Sequence, residues 1–508
     1  MVPIVMHQLY SRQLLIMRLL LAASSGAIGA LGQAPYDQPM AMVLSLVLGF
    51  TLWRYDPLHS ALTGWFFGAG YFALTLFWIV EPFQVDVARH GWMAPFALLF
   101  LSFGLALFWA LAFGSARRLG VGAFGLVLTW TTAEMMRAYV FTGFPWASPA
   151  QVSVNGLASE MLSVWGPHGT TFALLLLACL LSCPAKTKAK RVHWLGQGAL
   201  LIAAGAALYL PVMRSAAELS PHWVRLIQPN AAQHLKWRPE MADVFFQRQL
   251  EMTSAAPMLD ASAPDLIVWP ETAIPWRLDT AQPALAEIVH ASDGVPVALG
   301  ALRAQGKRLR NTMAVLGPSG EITAQYDKHH LVPFGEYIPF ANMVEKIGLR
   351  GLAQTMGGFD SGPGPSVLDL GIVGKVLPLI CYEAVFAHGV NAVPERADLI
   401  LQVTNDAWFG QYAGPQQHLA QARMRAIEQG LPLIRAANTG ISAVIDPFGR
   451  ILSELPLNEI GFLDAQIPSP LPPSVYSRTG DYPVILTLVL TFSAAFLRQI
   501  RHRFRRND

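Results

Sequence analysis

Three short strings hold the residues with which this chain can do covalent chemistry: Trp269-Pro270-Glu271-Thr272, Tyr326-Asp327-Lys328-His329 and Ile380-Cys381-Tyr382-Glu383. They supply a carboxylate, an ammonium and a thiol. A cysteine becomes a useful nucleophile as its thiolate, which requires a neighbouring base or positive charge. Glu271 is the candidate base. Lys328 is the candidate cation, able to hold the thiolate and then the oxyanion of a tetrahedral intermediate, assisted by the backbone N–H after Cys381. The set suits acyl transfer. Taken one at a time, each residue also has a plainer reading: a loop carboxylate, a solvated lysine and an inert core cysteine.

The first two strings sit at or just after short β-like runs, and the third closes the run Val376-Leu377-Pro378-Leu379-Ile380, so all three are predicted to converge on one rim of a sheet. Across residues 214–481, runs such as Val224-Arg225-Leu226-Ile227, Leu266-Ile267-Val268-Trp269 and Leu399-Ile400-Leu401-Gln402-Val403 alternate with helical stretches near 240–256, 281–291 and 414–429. That pattern reads as a single α/β domain. Later strands are expected to be antiparallel: Asn311 to Leu316 and Glu321 to Tyr326 are joined by Gly317-Pro318-Ser319-Gly320, and 431–446 pair across Asn438-Thr439-Gly440. Asn311 either aims its amide at the site or caps a turn, the commoner use of asparagine at a strand opening. Two Gly- and Pro-containing loops, 337–366 and 405–416, are candidates for a lid or a lipid-facing mouth.

The remainder is apolar. Of 508 residues 53% are hydrophobic and 14% charged, against about a quarter charged in ordinary soluble chains, so this one must meet lipid. A net charge of +3, with basic residues in short clusters between apolar runs, excludes nucleic acid as a partner. Apolar runs at roughly 14–32, 40–54, 59–80, 92–113, 121–141, 159–182, 195–213 and 482–499 predict about eight transmembrane helices. The first run contains Arg18 and the second is short, and no cleavable leader is expected, since the first run is long enough to span and no small-residue cleavage pattern is evident. Basic residues alternate between loops: Arg12, Arg54, Arg117 and Arg118, then Lys186, Lys188, Lys190 and Arg191, and Arg498 to Arg506 at the end. By the positive-inside rule both termini are cytoplasmic and 214–481 faces the opposite side, the periplasm in a bacterial inner membrane. The expected division is a membrane domain over 1–213 with about seven spans, a catalytic domain over 214–481, and a last span with a basic tail over 482–508. Cys179 and Cys183 lie in or beside an apolar run, which leaves Cys381 as a lone thiol. Glu134 and Arg137, at i and i+3 in the fifth run, make either an orienting ion pair or a headgroup or bundle contact.

In order and local sequence the three strings resemble the Glu-Lys-Cys triad of the nitrilase, or carbon-nitrogen hydrolase, superfamily. The arrangement of seven spans, such a domain and one last span resembles the apolipoprotein N-acyltransferase family over essentially the whole chain. The supporting strings are Phe144-Pro145-Trp146, Trp269-Pro270-Glu271, Asp327-Lys328 continuing to Leu331-Val332-Pro333-Phe334-Gly335-Glu336, Cys381-Tyr382-Glu383 and Asn405-Asp406-Ala407-Trp408-Phe409. The resemblance implies an αββα sandwich and a thioester on Cys381. It implies transfer of a fatty acyl chain from a phospholipid to the α-amino group of the N-terminal S-diacylglyceryl-cysteine of an apolipoprotein. It makes Glu271 the general base, Lys328 the oxyanion and thiolate stabiliser, and Cys381 the nucleophile. Glu336 and Glu383 match carboxylates around the triad, and Tyr382, Trp237 and Trp408 match pocket residues.

The tryptophans also suit a simple interfacial position. His329-His330, with His388, lacks a supported ligand spacing and reads as polar surface or loop, so no metal and no cofactor are expected. The chain is expected to act as a monomer. One rival is a membrane-tethered amidase or nitrilase with the same triad and water as acceptor. Another is a transporter or structural membrane protein with a sensing domain, against which stand few charges inside the spans and no evident pair of broken helices.

Overall fold

A computed structural model describes residues 2–185, 190–215, 217–306, 308–339 and 358–507. Lys186 and Lys188 of the basic loop, and most of the 337–366 loop, lie outside the described residues. The chain forms two compact units, one of Met1–Arg214, Tyr412–Ala420 and Val475–Asp508, the other of Ser215–Gln411 and Gln421–Ser474.

The first unit is helical, and a helix stands on each of the eight apolar runs: Val2–Ala30, Pro39–Tyr55, Ser60–Thr75, Ala94–Ala116, Ala123–Tyr139, Glu160–Leu181, Lys190–Tyr209 and Tyr482–Asn507. Length and composition qualify fewer than eight to cross a membrane. Five pass among the described residues, or six if Ser60–Thr75 and the 3₁₀ turn Phe77–Gln84, bent by 48°, count as one span. Pro39–Tyr55 and Ala123–Tyr139 have 17 residues each, roughly 25 Å of helix against a hydrocarbon core of about 30 Å.

Inside this unit the side chains of Trp109 and Trp130 pack with centroids 4.8 Å apart, and Tyr71 stacks on Trp109 at 5.1 Å. Glu134 and Arg137 are both buried and paired at 2.6 Å. Trp109 Nε1 donates to Glu134 at 2.7 Å, and Arg137 donates to the carbonyls of Phe144 and Trp146. The pair is therefore a bundle contact that ties down the Phe144-Pro145-Trp146 loop. Trp146 itself is fully buried and donates through Nε1 to Gln417 Oε1 at 2.8 Å.

The second unit is two six-stranded sheets. In chain order the strands are β1 (Leu219–Gln228), β2 (Leu266–Val268), β3 (Val297–Gln305), β4 (Arg308–Leu316), β5 (Ile322–Asp327), β6 (Leu368–Asp369), β7 (Lys375–Ile380), β8 (Leu399–Thr404), β9 (Leu433–Ala437), β10 (Ser442–Ile445), β11 (Ile451–Leu455) and β12 (Gly461–Pro468). The first sheet runs β12-β1-β2-β3-β4-β5 and the second β11-β10-β9-β8-β7-β6. The centre of each is parallel, β1-β2-β3 in one and β7-β8-β9 in the other. Antiparallel hairpins flank them, including the expected β4-β5 pair and β9-β10 across Asn438-Thr439-Gly440.

Burial follows this layout. β2, β8 and β9 are buried at every residue, as strands covered on both faces are; β2 is wholly apolar, while β8 carries Gln402 and Thr404 and β9 carries Arg435. Edge strand β11 alternates exposed and half-buried. Helices Pro239–Ser254 and Gln282–Ser292 lay Phe246, Leu250, Leu285 and Ile288 on Ile227, Ile267 and Leu299 of the first sheet. The sheets pack on one another through β1 against β9 and β10, and β4 against β7.

Gly300 on β3 shows how closely the base is held. A Cβ there would lie 2.5 Å from Glu271 Cα and 2.7 Å from the Pro270 carbonyl oxygen. Gly300→Ala is expected to cost about 1–3 kcal/mol through overpacking and to slow the chemistry by displacing Glu271. Thermal unfolding and an activity assay of the purified variant check both.

Candidate active site

Each of the three expected side chains follows the buried end of a strand. Glu271 lies just past β2, Lys328 directly after β5 and Cys381 directly after β7. The expectation of one rim of one sheet is corrected here: β2 and β5 belong to the first sheet and β7 to the second. The face-to-face packing of the sheets brings the three loops together. Glu271, Lys328 and Cys381 are 6%, 1% and 5% exposed, which rules out the solvated reading of the lysine.

Glu271 is held by both oxygens. Asn311 Nδ2 donates to Oε1 at 2.7 Å, and the Asn405 backbone N–H, from the second sheet, donates to Oε2 at 2.9 Å. Lys328 Nζ lies 3.7 Å from Glu271 Oε1 and donates to Glu336 Oε1 at 2.9 Å. Glu336 is fixed in turn by the Val332 N–H at 2.8 Å and by Asn311 at 3.3 Å. Burial disfavours charge on Lys328, but Glu336 and then Glu271 outweigh it and hold the ammonium above the usual lysine range. For Cys381 burial and then Glu271 push the thiol up, against the pull of Lys328. Burial and Glu271 thus favour the thiol over the thiolate, with Lys328 in electrostatic reach of both. Proton transfer from Cys381 to Glu271 moves a negative charge without creating one, which suits a low-dielectric site.

The Cys381 backbone is strained, with φ of 52° in the left-handed region that β-carbon residues avoid. Glu383 clips it in place. Its Oε2 accepts from the Ile380 N–H at 2.8 Å, and its Oε1 accepts from the His329 and His330 N–H groups at 2.9 and 3.1 Å and from Tyr326 Oη at 2.8 Å. One carboxylate thereby joins the cysteine loop to the lysine loop. Burial opposes its charge, yet His329 and these backbone donors keep Glu383 below the usual glutamate range.

The other expected residues are dispersed. Tyr382 is buried with its ring edge-on to Phe386 at 5.0 Å. Trp237 and Trp408 are 46% and 40% exposed. Trp237 lines a small apolar recess with Phe245 and Pro270, next to Lys236, whose Nζ donates to the Glu271 carbonyl at 3.2 Å and to Thr272 Oγ1 at 3.0 Å. Burial pushes Lys236 down to about 8, against the pull of Glu271. No sequence signal singled out Lys236. Asn311 corrects the turn-cap reading: it lies inside β4, buried, and its amide bridges Glu271 and Glu336. His330 is stacked on Phe386 at 3.6 Å, and its Nε2 is buried with no hydrogen-bond partner among the described residues.

Residues 224–471 match the carbon-nitrogen hydrolase family, and residues 25–180 match the apolipoprotein N-acyltransferase N-terminal domain. An amidase of known structure from Nesterenkonia sp. is 18% identical with a TM-score of 0.36, covering 50% of this chain and 94% of its own. Fold and family match together define a nitrilase-like α/β domain carried on a helical N-terminal part with several apolar helices. The apolipoprotein N-acyltransferase of Rhodopseudomonas palustris is 36% identical over 521 residues, 95% of each chain, and that of Brucella melitensis is 36% identical over 520 residues, 96% of this chain and 97% of its own. The chain belongs to the apolipoprotein N-acyltransferase family and is an acyltransferase.

His330 makes the folded site acid-sensitive. Burial, with His329 adding to it, lowers its pKa from 6.5 to about 4. Between those values the unfolded chain binds the proton and the folded chain does not, so stability rises with pH across the window and is lost as pH falls through it. His330→Phe, which keeps the stack on Phe386, is expected to flatten that slope in thermal midpoints measured from pH 6.5 to pH 4.

Proposed function

We propose that this protein transfers a fatty acyl chain from a phospholipid, through a thioester on Cys381, to the α-amino group of the N-terminal S-diacylglyceryl-cysteine of apolipoproteins. The observation that carries the reading is the buried thiol of Cys381 within electrostatic reach of both Glu271 and Lys328, in a chain whose relatives over 95% of its length are named apolipoprotein N-acyltransferase.

In the first half-reaction Glu271 takes the thiol proton as sulfur attacks the phospholipid ester carbonyl. The Lys328 ammonium, kept charged by Glu336, stabilises the oxyanion. Collapse breaks the ester C–O bond, and the departing lysophospholipid alkoxide takes the proton back from Glu271. In the second half the free amine attacks the thioester, Glu271 accepts a proton from nitrogen, and the Cys381 thiolate leaves and is reprotonated. The order is ping-pong, with lysophospholipid released before the acceptor enters. Tyr382, Trp237 and Trp408 are assigned to the substrate pocket, and Glu383 to positioning.

The domain over 214–481 is assigned to the periplasmic side of a bacterial inner membrane, on the alternation of basic loops. A membrane-held enzyme attacks a phospholipid ester at headgroup level while the chains stay in hydrocarbon, avoiding about 0.8 kcal/mol for each methylene otherwise exposed to water.

Incubation with phospholipid alone is expected to leave a fatty-acyl adduct on Cys381 in the intact-protein mass, absent in Cys381→Ala and nearly so in Cys381→Ser. Glu271→Gln is expected to slow both half-reactions by roughly 10²–10⁴-fold, and Lys328→Met to slow acylation. Transfer activity surviving in Cys381→Ala would remove the covalent mechanism. Release of free fatty acid with no acylation of a diacylglyceryl peptide would favour the hydrolase.

A further inference from the structure

A second buried network reaches Cys381 through its own sheet. Arg435 on β9 and Gln402 on β8 are register partners, so their side chains share one face of the sheet. Arg435 Nη1 donates to Gln402 Oε1 at 2.6 Å, which turns the amide so that Gln402 Nε2 donates to the Cys381 carbonyl at 3.1 Å. Arg435 Nη2 pairs with Asp406 Oδ2, and Arg435 Nε donates to the Ile441 carbonyl at 3.1 Å. Thr404 Oγ1 donates to Asp406 Oδ1 at 2.8 Å. Arg435, Gln402, Thr404 and Asp406 are all fully buried. Gly440 makes room for the pair, since a Cβ there would lie 2.4 Å from Asp406 Oδ2.

A buried ion pair is weak evidence for stability, because apolar residues of similar volume commonly do as well. Its value here is sought in what it touches. We propose that Arg435 is a positioning residue for the nucleophile: through Gln402 it holds the Cys381 backbone in its left-handed conformation, and by pairing with Asp406 it offsets part of the negative charge that this carboxylate presents to the thiol. The proposal rests on the reading of Cys381 as the nucleophile.

Three charged groups act on the thiol from the elements around it: Glu271 after β2 and Asp406 after β8 disfavour its ionisation, and Lys328 after β5 favours it. Thr404, whose hydroxyl proton goes to Asp406, also lies in hydrogen-bond reach of the thiol. Arg435 is the cation paired with the Asp406 carboxylate, so removing one member of that pair leaves the other's charge uncompensated beside the nucleophile.

The test uses the full-length protein in detergent and two readouts. The first is the rate of alkylation of Cys381 by iodoacetamide as a function of pH, read by mass spectrometry on the peptide that carries it. The second is single-turnover acylation by phospholipid. Asp406→Asn leaves Arg435 charged and is expected to raise Cys381 alkylation at a given pH by about tenfold, the effect of one pKa unit. Adding Arg435→Met to Asp406→Asn removes both charges and is expected to return alkylation toward the wild-type rate. Arg435→Lys keeps the charge but lacks the planar fork that spans Gln402 and Asp406. It is expected to alkylate as the wild type does while acylating at least about tenfold more slowly, the scale of a misplaced reacting group. Unchanged alkylation in Asp406→Asn, or wild-type acylation in Arg435→Lys, would overturn the proposal. Alkylation reports the thiol's surroundings whatever Cys381 does in catalysis. Loss of the acyl-enzyme reading would therefore appear separately, as acyl transfer persisting in Cys381→Ala.

Discussion

Keeping an ammonium charged almost out of reach of water demands carboxylates at hydrogen-bond distance, and Lys328 at 1% exposure sets that demand for the whole site. Glu336 meets it at 2.9 Å, and Glu271 adds its charge from 3.7 Å, beyond hydrogen-bond distance. Both carboxylates then need partners of their own. Asn311 serves the two together, the Asn405 N–H serves Glu271, and the Val332 N–H serves Glu336. The chain of obligations reaches four loops and both sheets. It explains why the ends of β2, β5, β7 and β8 must arrive at one place, and why Gly300 leaves no room for a side chain behind Glu271.

Charge bookkeeping also decides how the thiol works. Two carboxylates and one ammonium surround a buried sulfur, so an isolated thiolate is disfavoured until Glu271 gives up its own charge by taking the proton. This suits the proposed acyl transfer, in which proton transfer to Glu271 accompanies attack by sulfur and Lys328, held close to both, meets the oxyanion without having to move. The strained Cys381 backbone needs support from its surroundings, and two devices on its neighbours supply it: Glu383 on the Ile380 N–H and Gln402 on the Cys381 carbonyl.

The helical unit follows the same rule in its own core. A buried polar group left unsatisfied costs about 1–3 kcal/mol, and the buried polar groups of Glu134, Arg137, Trp146 and Gln417 are linked to one another and to loop carbonyls. Gln417 Nε2 completes the set by donating to the carbonyls of Ala34 and Thr75, both at 3.1 Å. The Phe144-Pro145-Trp146 loop turns its tryptophan inward and is held through its carbonyls by Arg137.

Much of this was legible in the chain itself. Apolar runs predict helices because the backbone must satisfy its own hydrogen bonds in lipid, and alternating or unbroken apolar strings predict strands because side chains repeat every second residue. The three strings proposed to carry the chemistry could be read because each combines a strand end with a reactive residue type. Local pattern carries no information about which sheet a strand joins, so the meeting of Glu271 and Lys328 with Cys381 from opposite sheets was decided by tertiary packing alone. The same holds for Asn311, Lys236, Gln402 and Arg435, ordinary residues in their own segments that became part of the site through partners up to 40 residues away, as Asn311 is from Glu271. Span number was likewise beyond reach, because hydropathy marks where a helix is apolar while its ends, and the 48° bend after Ser60–Thr75, depend on its packed neighbours.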